Sequence, residues 1–279
     1  MSSLPLAFEW TSHGFALTTP SSTQPQLLVA DSWRVRNGRI WGLPDHIDRF
    51  LRGVVAQGLD LDTLNIFDGG HLTAAVEDTL GDIAQEHVGT DLFPRLSVEI
   101  HDGSPRIVLL VRPAPPVRTT TSLSIPDYTD PRIRPTVKGP DIDLMRRLVA
   151  EAATDDVVLH DGTNVIETTT GALLMWQTPQ ELVFCQATQQ LASISAQRIV
   201  HHARSHHIAV TSRPVTIQQV LTGEYPVWCT NTLHGISPVT AISGPHGEIH
   251  VASHPDTALW QRAWWQRFPG EPQRQKPKR

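Results

Sequence analysis

A chain of 279 residues that is 39% hydrophobic and 18% charged is long enough to bury a substantial core and too apolar to stay disordered. A net charge of −5 gives no basic field for nucleic acid or anionic lipid, and two cysteines, Cys185 and Cys229, are too few for a disulfide framework or a thiolate metal site. No run of 18 apolar residues and no basic-then-apolar leader occurs, so the expectation is a soluble, cytoplasmic protein without nucleic-acid or membrane partners.

In chain order, short strands are expected at Leu6 to Trp10, Phe15 to Leu17, Leu27 to Ala30 and Arg39 to Gly42. A helix follows, because Ile47, Phe50, Leu51, Val54 and Val55 form an amphipathic stripe, with Asp45 as its cap. Leu72, Ala75, Val76, Thr79, Leu80 and Ile83 repeat that spacing in a second helix. Strands at Leu96 to Ile100 and Ile107 to Val111 complete the first half. The proline-dense stretch Arg112-Pro113-Ala114-Pro115-Pro116 continues neither helix nor central strand and reads as a linker. It sets a domain boundary near residue 116.

A helix over Pro140 to Ala153 opens the second half, with Leu144, Met145, Leu148 and Val149 on one face. Two hairpins follow, Val157–His160 with Val165–Glu167 and Ala172–Trp176 with Leu182–Cys185. Beyond them come a helix from Ser195 to about His207 and strands at Ile208 to Arg213, Val227 to Thr230 and Val239 to Ile242. A terminal helix is expected from Leu259 to Phe268, then a loose basic tail, residues 272–279.

Three features carry potential chemistry. Lys138 lies between an extended Arg134-Pro135-Thr136-Val137 and a helix start, a place also common for a solvated lysine. Glu167 ends a hairpin strand before Thr168-Thr169-Thr170-Gly171, which is also ordinary turn chemistry. Ser195 opens an amphipathic helix, where it could serve only as an N-cap. His202 and His206 stand at i, i+4 with no third ligand nearby, so a polar helix face is preferred over a metal site.

Taken in order, these segments resemble the fold-type-IV enzymes that use pyridoxal 5′-phosphate, a family that includes branched-chain and D-amino-acid aminotransferases and aminodeoxychorismate lyase. The resemblance rests on Asp45-His46-Ile47-Asp48-Arg49-Phe50, on Lys138, and on Asp156 to Gly162 with Val165 to Thr170. It extends to Leu191 to Arg198 and Thr230 to Val239. It implies an α+β (mixed α/β) fold of two domains: residues 1–116 as a smaller sandwich-like α/β domain, and residues 117–279 as a larger one with a β-barrel-like core and flanking helices. It implies that Lys138 is the Schiff-base lysine and later the acid and base at the substrate Cα. By the same match Glu167 pairs with the pyridine nitrogen beside Thr168 and Thr169. Arg49, Ile194, Ser195 and Thr232 would hold the phosphate. Leu233 and His234 would offer backbone N–H groups to a substrate carboxylate.

The departures lie on the substrate side. Ala30 stands where many transaminases carry an aromatic residue, Ala172 replaces an asparagine, Ser193 a glycine and Ser195 a threonine. Arg95 and His101, on one strand, are candidates for the substrate mouth, with a surface strand pair the preferred alternative. The expected activity is transamination between an amino acid and a 2-oxo acid in a homodimer. Two alternatives stay open: a lyase that releases pyruvate from 4-amino-4-deoxychorismate, which Thr230 to Val239 resembles most, and a cofactor-binding protein that has lost catalysis.

Overall fold

Alternating apolar and polar residues build the first sheet of the computed structural model, which describes residues 3–20 and 25–266. Strands β1 (Leu6–Thr11) and β2 (Gly14–Thr18) form a hairpin, and β3 (Gln26–Ser32) follows. The small pair β4 (Val35–Arg36) and β5 (Arg39–Ile40) turns the chain into helix α1 (Leu43–Ala56). Helix α2 (Gly69–Glu86) then leads to a long hairpin of β6 (Arg95–His101) and β7 (Ser104–Val111). The sheet runs β2-β1-β7-β6-β3 and is antiparallel throughout.

Both helical stripes found in the sequence lie against this sheet, except that Val55, expected on the first stripe, is 61% exposed because it falls past the edge of the buried face. Ile47, Phe50 and Val54 of α1 and Leu72, Val76 and Leu80 of α2 share one buried cluster with Val29, Leu96, Val98 and Leu109. Truncating the 1%-exposed Phe50 to alanine would cost about 3–5 kcal/mol through lost burial and a cavity. The cap expected at Asp45 is absent. Gly42, in the left-handed region, precedes the helix, and Asp45 sits inside its first turn, paired with Arg198 at 2.7 Å.

Past the proline-rich stretch the chain enters a second sheet. Its elements are β8 (Thr121–Ser124), α3 (Ile142–Glu151), β9 (Asp156–His160), β10 (Val165–Thr168), β11 (Ala172–Thr178) and β12 (Glu181–Cys185). They continue with α4 (Ile194–Ser205), β13 (Ala209–Arg213), α5 (Ile217–Leu221), β14 (Val227–Asn231), β15 (Gly235–Gly244), β16 (Gly247–His250) and α6 (Thr257–Trp265). The order is β10-β9-β8-β15-β14-β11-β12-β13, with β16 on β15.

This sheet curls toward closure. Val165 N–H donates to Val215 O at 2.9 Å, and Gln190 Nε2 bridges Ile166 O and Cys185 O at 2.7 and 2.9 Å. The period of two along β11 then sorts side chains to two cores. Leu173 and Met175 face the inside of the curl with Val158, Val183 and Val239. Leu174 and Trp176 face outward onto α4 and α6, where Trp176, Trp228 and Trp260 meet edge to face at 5.0–5.5 Å. The fold is mixed α/β with a barrel-like second sheet.

Several element bounds differ from the sequence reading. The strand expected at Arg39 to Gly42 is a two-residue pair. Helix α3 begins only at Ile142, because Gly139 and Pro140 form a turn, and its apolar face is half-buried instead of core. Ser193, not Ser195, caps α4 by accepting from Ala196 N–H. Strands β8 and β16 and helix α5 were not expected. The last residues of the expected terminal helix, 267–268, and the basic tail, 272–279, lie outside the described residues. No helix among the described residues is long and apolar enough to cross a membrane.

Candidate active site

A cavity of about 500 Å³ opens between the two sheets, and Lys138 enters it from the segment joining β8 to α3. The root of this lysine is fixed on the first sheet: Lys138 O accepts from Ala30 N–H at 2.7 Å. Gly139 permits that approach. Its φ is +139°, and a Cβ there would stand 2.7 Å from both Ala30 N and Val29 Cα. The Lys138 amine has no hydrogen-bond partner among the described residues. Burial, and then the charge of Arg49, push its pKa down, against the pull of Asp31 and Glu167.

Glu167 ends β10 and is 4% exposed. Its Oε1 accepts from Arg132 Nη1 at 2.7 Å and from Leu191 N–H at 3.0 Å, which leaves Oε2 without a partner among the described residues. Arg132 is held in turn by Asp130, which accepts from its Nε at 3.0 Å and Nη2 at 2.7 Å. Burial raises the Glu167 pKa despite Arg132, so a cation at Oε2 would relieve a real desolvation cost. The hydroxyls of Thr168, Thr169 and Thr170 all donate to one buried carboxylate, Asp156. Thr168 and Thr169 therefore shape the cavity wall and keep only hydroxyl lone pairs for a ligand.

The opposite end of the cavity is an anion cradle. Ile194 and Ser195 are the first residues of α4, so their N–H groups have no acceptor within the helix, and the positive end of its dipole points there. Arg49 lies alongside. Its Nε and Nη2 hold the two oxygens of Asp31 at 2.7 and 2.8 Å, and Nη1 reaches Ala192 O at 2.9 Å. Asp31 is fully buried and also accepts from His46 Nδ1 and Ser32 N–H, each at 2.8 Å. Burial alone would raise its pKa, but Arg49 and His46 hold it well below the ordinary carboxylate range. Thr232 completes this end, its hydroxyl donating to Ser32 O at 3.1 Å.

The substrate side differs from expectation. The N–H groups of Leu233 and His234 both donate to Asn231 Oδ1, at 3.1 and 2.8 Å, so they are not available to a carboxylate. The side chain of His234 lines the cavity instead. Its Nδ1 accepts from Arg118 N–H at 3.0 Å, and burial with Arg118 and Arg34 pushes its pKa to about 4. The ring is neutral at pH 7 and carries its proton on Nε2. Arg118 presents buried Nε and Nη2 groups without hydrogen-bond partners. Arg95 lines the cavity and donates to Glu99 at 2.8 Å; His101 does not reach it and sits on the other Glu99 oxygen at 3.2 Å. Ala30 is buried behind the wall, joined to Lys138 only through its backbone.

Sequence reasoning missed Asp31, His46, Asp130, Arg132, Arg112 and Arg118. The i, i+3 spacing of His46 and Arg49 was a usable signal for a shared acid. Nothing local marks Arg132, between Pro131 and Pro135. His202 and His206 pack ring to ring at 4.1 Å, with Trp260 against His202. Among the described residues no group of three His, Cys, Asp or Glu could hold a metal ion.

The model of the amino-transferase class IV family matches residues 28–242. The chain belongs to the class IV aminotransferase family. No curated protein sequence matches it, whereas many solved structures do. A fold IV transaminase from Curtobacterium pusillum shares 16% identity over 94% of this chain and 97% of its own, with a TM-score of 0.78. A PLP-bound hypothetical aminotransferase from Mycobacterium tuberculosis shares 14% over 92% and 96%, at 0.76. A branched-chain aminotransferase from Thermoproteus uzoniensis with norvaline shares 14% over 94% of each chain, at 0.77. At these identities the likeness is one of fold.

Class IV aminotransferases use pyridoxal 5′-phosphate, and this member has a cavity that fits it. A buried amine, an open carboxylate oxygen and an unsatisfied helix N-terminus beside an arginine meet the needs of an aldehyde, a pyridine nitrogen and a phosphate.

Proposed function

We propose that this enzyme moves an amino group between an amino acid and a 2-oxo acid, with Lys138 as its catalytic residue. The observation that carries the reading is the joining, in one cavity, of the partnerless Lys138 amine, the open Oε2 of Glu167 and the α4 N-terminus beside Arg49. When bound, pyridoxal phosphate supplies an aldehyde that bonds to amines and a protonated ring that takes up the electron pair left when the substrate Cα–H breaks.

Lys138 would hold the cofactor until the substrate amine replaces it. Its freed Nζ then takes the Cα proton and returns it one carbon away. Lowered basicity suits this, because at neutral pH more of the amine is available as a base. Glu167 Oε2 would receive the ring N–H, and Arg132 favours the ionised form of that carboxylate against the opposing effect of burial. Arg49, the Ile194 and Ser195 N–H groups and Thr232 would cradle the phosphate, with Asp31 holding Arg49 in place.

The test is the visible spectrum of protein loaded with pyridoxal phosphate, beside that of Lys138→Ala. The parent should show a yellow band that the variant lacks, and an amino acid should bleach it with a 2-oxo acid restoring it. A parent without the band sinks the reading. The lyase alternative keeps Lys138, Glu167 and Arg49 in the same roles, and Thr230 to Val239 favours it; pyruvate release without an amino acceptor would select it. This reading also takes the chain as two domains dividing near residue 116 and as a homodimer, for which light scattering should give about twice 30.9 kDa.

A further inference from the structure

Leu233 and His234 line the cavity from the turn between β14 and β15. Asn231 shapes that turn from within, and what holds it in place comes from the other sheet. Arg34, in the short link between β3 and β4, donates from Nη1 to Leu233 O at 3.0 Å. The same nitrogen reaches Pro115 O in the linker at 3.2 Å, and Nε donates to Asp91 Oδ2 at 2.9 Å. The linker grips the turn again further on, where Arg118 N–H donates to His234 Nδ1 at 3.0 Å.

The backbone explains why these groups meet. Val35 and Leu92 exchange N–H bonds at 2.8 and 2.9 Å, and Leu92 also bridges to Pro113, which brings Asp91 and Pro115 within reach of one side chain. The Arg34 side chain is 8% exposed, so its contacts form out of water, with Asp91 as counter-charge. Behind the turn stands α6. Arg34 lies 5.7 Å from the centre of the Trp265 ring, and a Cβ on Gly235 would stand 2.5 Å from the Trp264 ring. Arg34 is not among the residues that line the cavity. The phosphate end has a tether of its own, the Thr232 hydroxyl donating to Ser32 O at 3.1 Å.

We propose that Arg34 is a positioning residue for the substrate: through the Leu233 carbonyl it fixes the turn that presents Leu233 and His234 to the cavity. The proposal rests on that cavity being the aminotransferase active site. A lysine in its place keeps the charge but offers one nitrogen where the guanidinium reaches Asp91 and Leu233 from two.

The first test is NMR titration of the His234 ring in cofactor-free protein, its signal assigned by absence from His234→Gln. Burial, Arg118 and Arg34 lower the His234 pKa to about 4, against the pull of Asp155. Arg34→Lys keeps a cation in place, so charge alone predicts no change. A turn released toward solvent should raise the midpoint by at least about one pH unit, toward the ordinary 6.5. Asp91→Ala, which frees the Nε side of Arg34 without touching the turn, should move it the same way. On cofactor-loaded enzyme both variants should raise KM for amino acid and oxo acid about tenfold, while kcat and cofactor retention change less than about threefold. An unchanged His234 midpoint in a folded Arg34→Lys overturns the proposal, as does a loss of cofactor retention as large as the rise in KM. If Arg34→Lys does not fold, Asp91→Ala decides by the same two criteria. A raised midpoint in protein whose cofactor band no amino acid bleaches would sink transamination and leave Arg34 as the support of the turn.

Discussion

Replacing Asp31 with asparagine keeps the shape of a fully buried side chain and removes its charge. Oδ1 accepts from Ser32 N–H, His46 Nδ1 and Arg49 Nη2, each at 2.8 Å, and Oδ2 accepts from Arg49 Nε at 2.7 Å. An amide keeps the first oxygen but sets its NH2 group against the Arg49 Nε–H. Arg49, with 11% of its side chain exposed, is left as a buried cation without a counter-charge. Removing one partner of a buried pair costs about 3–5 kcal/mol, so Asp31→Asn should lower stability by that much. The assay is urea unfolding of cofactor-free protein for the parent, Asp31→Asn, Arg49→Met and the double variant. The double variant should be clearly more stable than the two single losses add up to, because it leaves no orphan charge. Acid gives a second check. The folded pKa of Asp31 is depressed, so its contribution is present above the ordinary carboxylate value of 3.8 and fades as pH falls further. The gap between parent and variant should narrow toward pH 2 and not toward pH 9. A loss under about 1 kcal/mol, or strict additivity, would refute the idea that this carboxylate organises the phosphate end.

Glu167→Gln should bind the cofactor but lower kcat by roughly 100-fold or more, since a neutral amide does not hold the ring proton; a steady-state rate near that of the parent contradicts the assignment. Gly139→Ala forces a Cβ to within 2.7 Å of the β3 backbone at a φ of +139°, so it should cost roughly 2–4 kcal/mol and loosen cofactor retention together. Unchanged melting and retention would show that the Lys138 segment is not pinned there. His234 is neutral when folded, with a pKa of about 4 against an ordinary 6.5. The unfolded chain therefore binds the extra proton first, and stability should fall as pH drops from about 6.5 toward 4. His234→Gln should flatten that slope, which unfolding midpoints at three pH values would reveal.

The helical layer of the first sheet was legible because its stripes are local: each apolar residue of α1 and α2 sits three or four positions from the next. The hairpin ending at Glu167 was legible for the same reason, with Asp161 and Gly162 marking its turn. Lys138 was recognisable only through its company along the chain. What fixes it, the contact of Gly139 with Val29 and Ala30, spans more than a hundred residues and leaves no mark on periodicity. One miss was avoidable. Asn231 accepts from the N–H groups two and three residues ahead, an asparagine turn of ordinary kind, and it takes the donors of Leu233 and His234 away from any substrate.

The linker shows why the substrate side resisted sequence reading. Prolines at 113, 115 and 116 remove backbone donors, so the segment joins neither sheet as a strand and crosses the gap between them. That gap is where the cavity lies. Residues at both ends of a crossing segment are thereby brought to the cavity wall, and here they are Arg112 and Arg118. A stretch with no pattern of its own was read as a spacer, yet it pairs briefly with Asp91 to Phe93, Phe93 N–H donating to Arg112 O at 2.8 Å and Ala114 N–H to Asp91 O at 2.7 Å, and its two ends carry two of the arginines that line the cavity. Arg49, Glu167, Ile194 and Ser195 sit on regular elements, whose patterns announce them, whereas this wall is built from the connection between elements, where a single sequence holds no periodicity to read.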